Sequence, residues 1–477
     1  MLTTSPIRRV FLSGICGTAM ASLAGMLKAT GYQVSGSDDG VYPPMSTFLE
    51  GLGVEVFAGF DASHIRDTAP DLVVIGNALS RGNPEVEYVL DAGVRYASLP
   101  ETLKELFIRG HRSVVVAGTH GKTTATALLA WVLESAGRNP SFMLGGIAEN
   151  FASSFRIGSG PDFVVEGDEY DTAFFDKAPK FLHYLPHIVL VENIEFDHAD
   201  IYRDLEAIQL AFRRLIRIVP RSGLIVAGIG SPAVRDVLDE AEAPVATFGL
   251  EAGDWRPDGI TPVGGGTEFD VLRDGTFWHR FGIPLLGTFN VLNALSVIVA
   301  ADRLGLSPGE IAVGFRTFRN VRRRLEVRGE VAGVLVYDDF AHHPTAVRET
   351  LGAVRQRFPE GRIWAVFEPR SQTSRRSVFE SDFARALAVA DIAVIAPVFM
   401  TTHIDPGGVL SPERVRQGVL EQGREAYAPE STGEVVSLIV GGAKRGDHVV
   451  VMSNGGFDNI HERLLDGLRR RRAQEAV

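Results

Sequence analysis

The sequence predicts an α/β protein of three domains: a Rossmann-like N-terminal domain, a P-loop ATPase-like central domain and a Rossmann-like C-terminal domain. Three observations predict it. Apolar strand runs alternate with amphipathic helical stretches from end to end, the rhythm of parallel sheets. Two separate strands run into glycine turns that open helices, FLSGICGTAM at 11–20 and VVVAGTHGKTTATALLA at 114–130. The 477 residues, 45% of them hydrophobic, suit about three domains of ordinary size.

Taken in order, residues 9–13 read as a strand, 18–29 as a helix and YQVSGSD as a second strand. DLVVIGNA and VRYASLP continue the pattern, and FIRGHRS (107–113) breaks it. SVVVAG is the next strand, and its helix TTATALLAWVLESAG closes on Gly137, the residue type that accepts a left-handed helix end. DFVVEGDE and HIVLVENIEFDH are strands whose polar residues crowd at their C-terminal ends. From 251 to 288 the text is Gly-rich and irregular, which predicts a small antiparallel excursion. FNVLNALSVIVAADRLG is a helix, and FRNVRRRLEVRG (318–329) reads as a second linker. Strand VLVYDD, helix PTAVRETLGAVRQRF, strand RIWAVFEPR, strand VVVMSNGG and the basic helix HERLLDGLRRRRA follow. These breaks divide the chain into 1–108, 109–319 and 320–477.

A net charge of −11 argues against a general nucleic-acid or acidic-membrane binder. Anionic ligands must then be held by local amides, Arg and metal. The single cysteine, Cys16, rules out an internal disulfide, fits a reducing compartment and reads as a small buried residue. No signal peptide or membrane span is legible, so a soluble, cytoplasmic protein is expected. Only six of the 48 basic residues are Lys, so the Lys at 122 stands out.

In GTHGKTT the backbone of Gly118, Thr119, His120 and Gly121 can point N–H groups at a phosphate, and the helix starting at Lys122, Thr123 and Thr124 adds its positive end. Lys122 can reach terminal phosphates, and the Thr123 hydroxyl can ligate Mg²⁺. The full P-loop pattern wants Gly where Val116 stands, so the match is partial. In FLSGICGT the glycines Gly14 and Gly17 are three apart, and Cys16 and Ala19 occupy places where a dinucleotide fingerprint has Gly. Asp38 follows at the distance of a ribose-binding acid. The broken fingerprint weighs against nicotinamide and toward the pyrophosphate of another nucleotide, with Thr18 opening the helix. A tight turn without ligand is the plain alternative.

Glu166, Asp168, Glu169 and Asp171 form one strand-end cluster, and Asn193, Glu195, Asp197 and His198 another. In an open parallel sheet ligands sit beyond the strand C-termini, so both clusters belong beside the phosphate loop. Oxygen donors plus one His suit Mg²⁺ or Mn²⁺. In DDFAHHPT, His342 and His343 are adjacent and point apart, which argues against a shared zinc; either a helix cap or a contact to nucleotide or nucleophile fits. Arg322, Arg323 and Arg324 lie in the linker, where an Arg can meet a transferred phosphate or simply be solvated.

With these pieces in place the chain resembles the Mur ligases, the ATP-dependent family that builds peptidoglycan precursors. GTHGKTT, NIEFDHAD, FNVLN, RRRLE and DDFAHHPT carry the resemblance, which covers nearly the whole length. It implies that the three domains bind a UDP-sugar, ATP and an incoming amine in turn. GICGTAM, IGNALSRGNP, EYDTAFFDK, FEPRSQT and MSNGGFDNIHERLLDGL resemble the branch acting on UDP-N-acetylmuramate. There the resemblance implies the tripeptide L-alanyl-γ-D-glutamyl-meso-diaminopimelate as amine, as in peptidoglycan recycling, with L-alanine as the alternative. It implies ATP and Mg²⁺ (or Mn²⁺) at Lys122, Thr123, Glu166 and His198, and nucleotide contacts from Asn290, Asn293, Arg324 and Asp338. His64, Asn77 and Arg81 are candidates for the UDP-sugar side and Arg370 and Asp405 for the tripeptide; in the proposed amide-forming step His342 or His343 is a candidate acceptor for the amine proton. Two departures stand out. Phe289 replaces a His common in the family before Asn290. No Lys lies between 180 and 444, so a carbamylated lysine cannot hold a second metal, and Arg213 near that place supplies no ligand. A nicotinamide oxidoreductase is the remoter alternative, and it leaves GTHGKTT unexplained.

Overall fold

The computed structural model describes residues 6–42, 45–198, 201–400 and 408–475. The first sheet is made of β1 (Arg9–Ser13), β2 (Gln33–Asp38), β3 (Glu55–Ala58), β4 (Leu72–Ile75) and β5 (Tyr96–Ser98), all parallel, in the order β3-β2-β1-β4-β5. Four consecutive buried residues in β1 and all four in β4 explain the unbroken apolar text: helices cover both faces of a parallel sheet. The order reverses at the β1/β4 boundary, and the crevice there is where such sheets take ligands. Gly14 makes the turn at that point with φ of 83° and donates its N–H to Ser37 O at 2.8 Å. Helix Thr18–Ala29 follows directly.

The second sheet comprises β6 (Arg112–Ala117), β7 (Ser141–Ala148), β8 (Ser153–Arg156), β9 (Asp162–Gly167), β12 (Ile188–Val191), β13 (Leu224–Gly228), β14 (Val245–Phe248), β15 (Trp255–Val263), β16 (Gly266–Arg273) and β17 (Thr276–Ile283), with the hairpin β10 (Asp171–Ala173) and β11 (Asp176–Pro179) apart from it. Its order is β17-β16-β15-β14-β13-β12-β6-β9-β7-β8. The P-loop strand β6 therefore lies between β12 and β9, the two strands that end in acids and His. The stretch 251–288 is more regular than its composition suggests. It forms two long antiparallel hairpins that extend this same sheet; Asp274 and Gly275 make one turn with positive φ, 51° and 76°, while Gly259, Gly266 and Gly282 lie within the strands. Phe269 and Val271 on β16 face the core with no exposure.

The third sheet runs β18-β19-β23-β20-β21-β22, from β18 (Glu326–Val331), β19 (Val334–Asp339), β20 (Ile363–Phe367), β21 (Ile392–Ile395), β22 (Glu425–Tyr427) and β23 (His448–Met452). Only β18 is antiparallel to its neighbour. The linker between the second and third sheets is pinned to β7: Arg322 N–H donates to Ile147 O at 3.0 Å, and Ala148 pairs with Val321. Asn320, Arg323 and Leu325 all adopt left-handed backbone there, with φ of 72°, 60° and 49°. Among the described residues no helix is long and apolar enough to cross a membrane.

Candidate active site

The loop after β6 is shaped by two glycines that admit no side chain. A Cβ on Gly121 (φ 90°) would stand 2.3 Å from Asn293 Oδ1, and one on Gly118 (φ 140°) 3.0 Å from Asn193 O. Asn193 locks the loop: its Oδ1 accepts from His120 N at 2.9 Å, its Nδ2 donates to His120 O at 3.1 Å, and its carbonyl accepts from Thr119 N at 3.0 Å. Helix Lys122–Ser135 then starts with no side-chain cap and no acid in its first turn. Its free N–H groups and dipole make an anion cradle.

Lys122 is buried and aims back across the loop. Its Nζ donates to Gly118 O at 2.6 Å and to Glu169 Oε2 at 2.9 Å. Burial pushes the ammonium down, but the Glu169, Asp168 and Glu166 carboxylates outweigh it and hold it above its ordinary value. Glu169, 2% exposed, is the hub of the site: it also accepts from His198 Nε2 at 3.2 Å. Burial alone would raise Glu169, yet Lys122 and His198 hold it down at about 2. His198 sits at φ 53°, with its ring 4.2 Å from that of Tyr170.

Glu166 Oε1 accepts from the Thr123 hydroxyl at 2.8 Å and its Oε2 from Gly145 N at 2.7 Å. Burial and then the neighbouring Asp168 charge raise its carboxyl above the usual range. A half-buried carboxylate under that pressure, facing a hydroxyl oxygen, fits a hard divalent cation, which would relieve it. The donors thus suit Mg²⁺ at Thr123 and Glu166. His198 does not touch Glu166; it is linked to the pair through Glu169 and Lys122.

Asn290 and Asn293 are buried in helix Thr288–Arg303, Asn290 donating to Leu286 O at 2.8 Å and accepting from Asn293 at 3.1 Å. Thr124 is buried one residue past Thr123, and Phe289 is half-buried beside Asn290. From the linker, Arg324 donates to Thr123 Oγ1 at 3.3 Å, so one of the three arginines reaches the cradle. Arg322 instead pairs with Glu149. Arg323 braces the third sheet, donating to Ser453 O at 2.6 Å and to Asp338 Oδ1 at 3.3 Å. Asp338 is therefore engaged with Arg323 and, at 3.5 Å, with His461.

His343 is the N-cap of helix Pro344–Arg357, accepting from Thr345 N at 3.3 Å, while its Nε2 meets Phe196 O at 3.1 Å. Burial and then the His120 charge push it down to about 4. His342 is half-buried, with Nδ1 on Phe340 O at 3.0 Å. The cap reading thus describes His343, which also touches the second domain. Arg213 lies on helix Leu205–Arg217 and donates to Asp236 O, with no contact to the phosphate loop.

In the first domain Cys16 N–H donates to Asp38 Oδ2 at 2.9 Å and Gly40 N–H to Asp38 Oδ1 at 2.8 Å. Asp38 therefore braces the glycine turn formed by Gly14, Cys16, Gly17 and Thr18. Cys16 is half-buried rather than buried, and burial followed by the Asp38 charge raises its thiol. His64 stacks on Phe57 with centroids 4.7 Å apart and bonds to Glu85 at 3.0 Å. Glu85, fully buried, also accepts from the hydroxyls of Ser13 and Ser37, each at 2.6 Å, at the C-terminal ends of β1 and β2. Sequence reading missed it; the helix start NPE at 83–85 was its only sign. Asn77 is exposed beside β4, and exposed Arg81 pairs with Glu87 at 2.9 Å. Arg370 lies over the Phe399 ring at 3.6 Å. Asp405 lies outside the described residues.

A Rossmann-type first sheet, a phosphate loop on a larger central sheet and a third sheet whose linker arginine reaches that loop together define a three-domain nucleotide-dependent ligase. The chain matches the Mur ligase family catalytic domain over residues 11–111, the Mur ligase middle domain over 116–301 and the Mur ligase glutamate ligase domain over 323–455. It is 42% identical, over 97% of its length, to the UDP-N-acetylmuramate–L-alanyl-γ-D-glutamyl-meso-2,6-diaminoheptandioate ligases of Haemophilus influenzae and Escherichia coli, covering 100% and 99% of them. It is 31% identical to the UDP-N-acetylmuramate–L-alanine ligase of Clostridium novyi, over 96% of this chain and 97% of that one. Among solved structures, a murein peptide ligase from Psychrobacter arcticus aligns with a TM-score of 0.73 at 36% identity, covering 97% of this chain and 98% of that one. The chain belongs to the Mur ligase family. The oxidoreductase alternative is thereby set aside.

Proposed function

We propose that the chain is an ATP-dependent, cytoplasmic ligase that joins UDP-N-acetylmuramate to L-alanyl-γ-D-glutamyl-meso-diaminopimelate, with the domains divided near 108 and 319. The identity to relatives named for that tripeptide, higher than to those named for L-alanine, supports this choice of amine. The observation that carries the chemistry is the cradle itself: Lys122, Thr123, Glu166 and Arg324 converge on one helix start.

In the proposed reaction a muramate carboxylate oxygen attacks the terminal phosphorus of ATP, the bond to ADP breaks, and an acyl phosphate forms. The amine nitrogen then attacks the acyl carbon, phosphate leaves, and the amine gives up a proton. Lys122 and Arg324 neutralise the phosphoryl charge, while the loop amides fix its position. Mg²⁺ held by Thr123 and Glu166, with His198 nearby, would supply charge neutralisation on the phosphate oxygens. Asn290 and Asn293 support the nucleotide side of the loop, and Asp338 holds the linker through Arg323. The turn at Gly14–Thr18, braced by Asp38, would take the UDP pyrophosphate, with His64, Asn77 and Arg81 toward the sugar and Arg370 toward the tripeptide. Closing the third domain over the cradle shields the acyl phosphate from water.

ADP release is expected only with UDP-N-acetylmuramate and an amine both present, and kcat/KM is expected to be at least tenfold higher for the tripeptide than for L-alanine. ATP turnover indifferent to both substrates would sink the ligase reading; preference for L-alanine would overturn the amine. Arg324→Ala is expected to lower kcat/KM about tenfold to a hundredfold, since one charge-assisted contact to the phosphoryl group is lost. Its thermal midpoint should stay close to that of the wild type, which a structural role would not allow.

A further inference from the structure

Where the second and third domains meet, three side chains turn toward one point. His120 comes from the phosphate loop, Glu195 from the segment after β12, and His343 from the start of helix Pro344–Arg357. His120 Nε2 lies 3.2 Å from Glu195 Oε2, and His343 Nδ1 lies 3.6 Å from the same oxygen. One ligand atom from each falls within 4.8 Å of the others. Among the described residues this is the group of His, Cys, Asp and Glu that gathers in this way.

The chemistry of the group is that of a metal site. His343 Nε2 faces the Phe196 carbonyl at 3.1 Å, so that nitrogen carries the ring proton and Nδ1 presents its lone pair. A backbone carbonyl that fixes the tautomer of a ligating imidazole is the usual outer partner at such sites. Thr345 supports both ligands: its hydroxyl donates to Glu195 Oε2 at 2.6 Å, and its N–H makes a long 3.3 Å bond to His343 Nδ1 that an ion would replace. Tetrahedral ligands around zinc stand about 3.3 Å apart, given bonds of roughly 2.0–2.1 Å. Both His–Glu separations, 3.2 and 3.6 Å, are already close to that, and the two imidazole nitrogens lie within 4.8 Å of each other. Two imidazoles and a carboxylate, with Glu195 partly open to water, match an open site for a borderline transition ion rather than for Mg²⁺. The Thr123–Glu166 oxygens form a different, harder donor set.

We propose that His120 Nε2, Glu195 Oε2 and His343 Nδ1 form a second metal site, for Zn²⁺ or a like ion, that ties the phosphate loop to the third domain. A bound ion clasps the two domains in the arrangement seen here and stabilises it by mass action. The inference does not rest on the identity of the amine substrate or on turnover.

Chelator-treated full-length protein, titrated with Co²⁺ in saturating Mg²⁺, tests it. One equivalent is expected to bind with the intense visible ligand-field absorption of a low-coordinate imidazole site, and to raise the melting temperature. His120→Ala and Glu195→Gln are expected to weaken binding at least tenfold. His343→Asn does the same while keeping a residue able to cap the helix, so loss of fold and loss of ligand are told apart. Glu166→Gln should leave the cobalt spectrum intact. The site is refuted if Co²⁺ binds without that absorption, if the absorption survives in both His120→Ala and His343→Asn, or if Glu166→Gln removes it.

Discussion

Replacing Lys122 by methionine is expected to lower kcat about a thousandfold, the scale on which a single preorganised charge acts on phosphoryl transfer. The same change has a second, separable effect. Lys122 and Glu169 form a buried ion pair at 2.9 Å, and Glu169 is held at about 2 chiefly by that partner and His198. Removing the cation leaves this buried carboxylate with His198 as its remaining cationic partner, and breaking a buried pair in this way costs about 3 kcal/mol. Lys122→Met should therefore be both inactive and destabilised, and adding Glu169→Gln should restore the urea midpoint without restoring kcat. Steady-state kinetics and equilibrium unfolding on the two variants check this. A single variant within tenfold of wild-type kcat would remove Lys122 from the chemistry. A double variant that regains activity would make its role purely structural.

The strand–loop–helix around Lys122 was legible because its information is local: β6, two glycines and Lys122 lie within a dozen residues. The acid clusters were legible as well, since parallel strands place their C-terminal ends on one edge and β9 and β12 flank β6. The division of labour within those clusters was not. Glu169 became the hub only because His198, far along the chain, folds onto it, and Asn193 locks a loop some seventy positions earlier. Glu85 shows the same limit in the first domain, where its partners Ser13 and Ser37 end two other strands. The adjacency of His342 and His343 argued against a shared metal, and they do point to different partners. What adjacency could not show is that His343 meets His120 and Glu195 from another domain. The antiparallel character expected for the Gly-rich 251–288 stretch is what the structure has, but its regularity was not legible, because Gly259, Gly266 and Gly282 stand inside the strands and lower their signal.

Glu192 carries the other large expected effect. It is buried at the end of β12, and burial pushes its carboxyl up to about 8. Geometry agrees. Ser296 Oγ lies 2.5 Å from Glu192 Oε1 and 2.9 Å from Asn293 O, and one hydroxyl proton cannot serve both. A proton on Glu192 satisfies the chain: the acid donates to Ser296, and Ser296 donates to Asn293. The folded value lies above the ordinary 4.5, so the folded state binds the extra proton. The stabilisation is fully present below about 4.5 and is lost as pH rises through about 8. Over that window the loss amounts to about 5 kcal/mol, at roughly 1.4 kcal/mol per pH unit. His343, held down at about 4, changes stability in the opposite direction at the acid end, so the informative quantity is the difference between wild type and Glu192→Gln. That difference, from urea midpoints at successive pH values, should shift against the wild type between pH 5 and 8; parallel curves would refute a protonated Glu192. Ser296 joins this carboxyl to Asn293, whose side chain packs against Gly121, so ionisation of Glu192 is expected to reach the loop through that chain. The KM for ATP should therefore climb above pH 8 in the wild type and stay level in Glu192→Gln, whose amide keeps the donor that the acid loses.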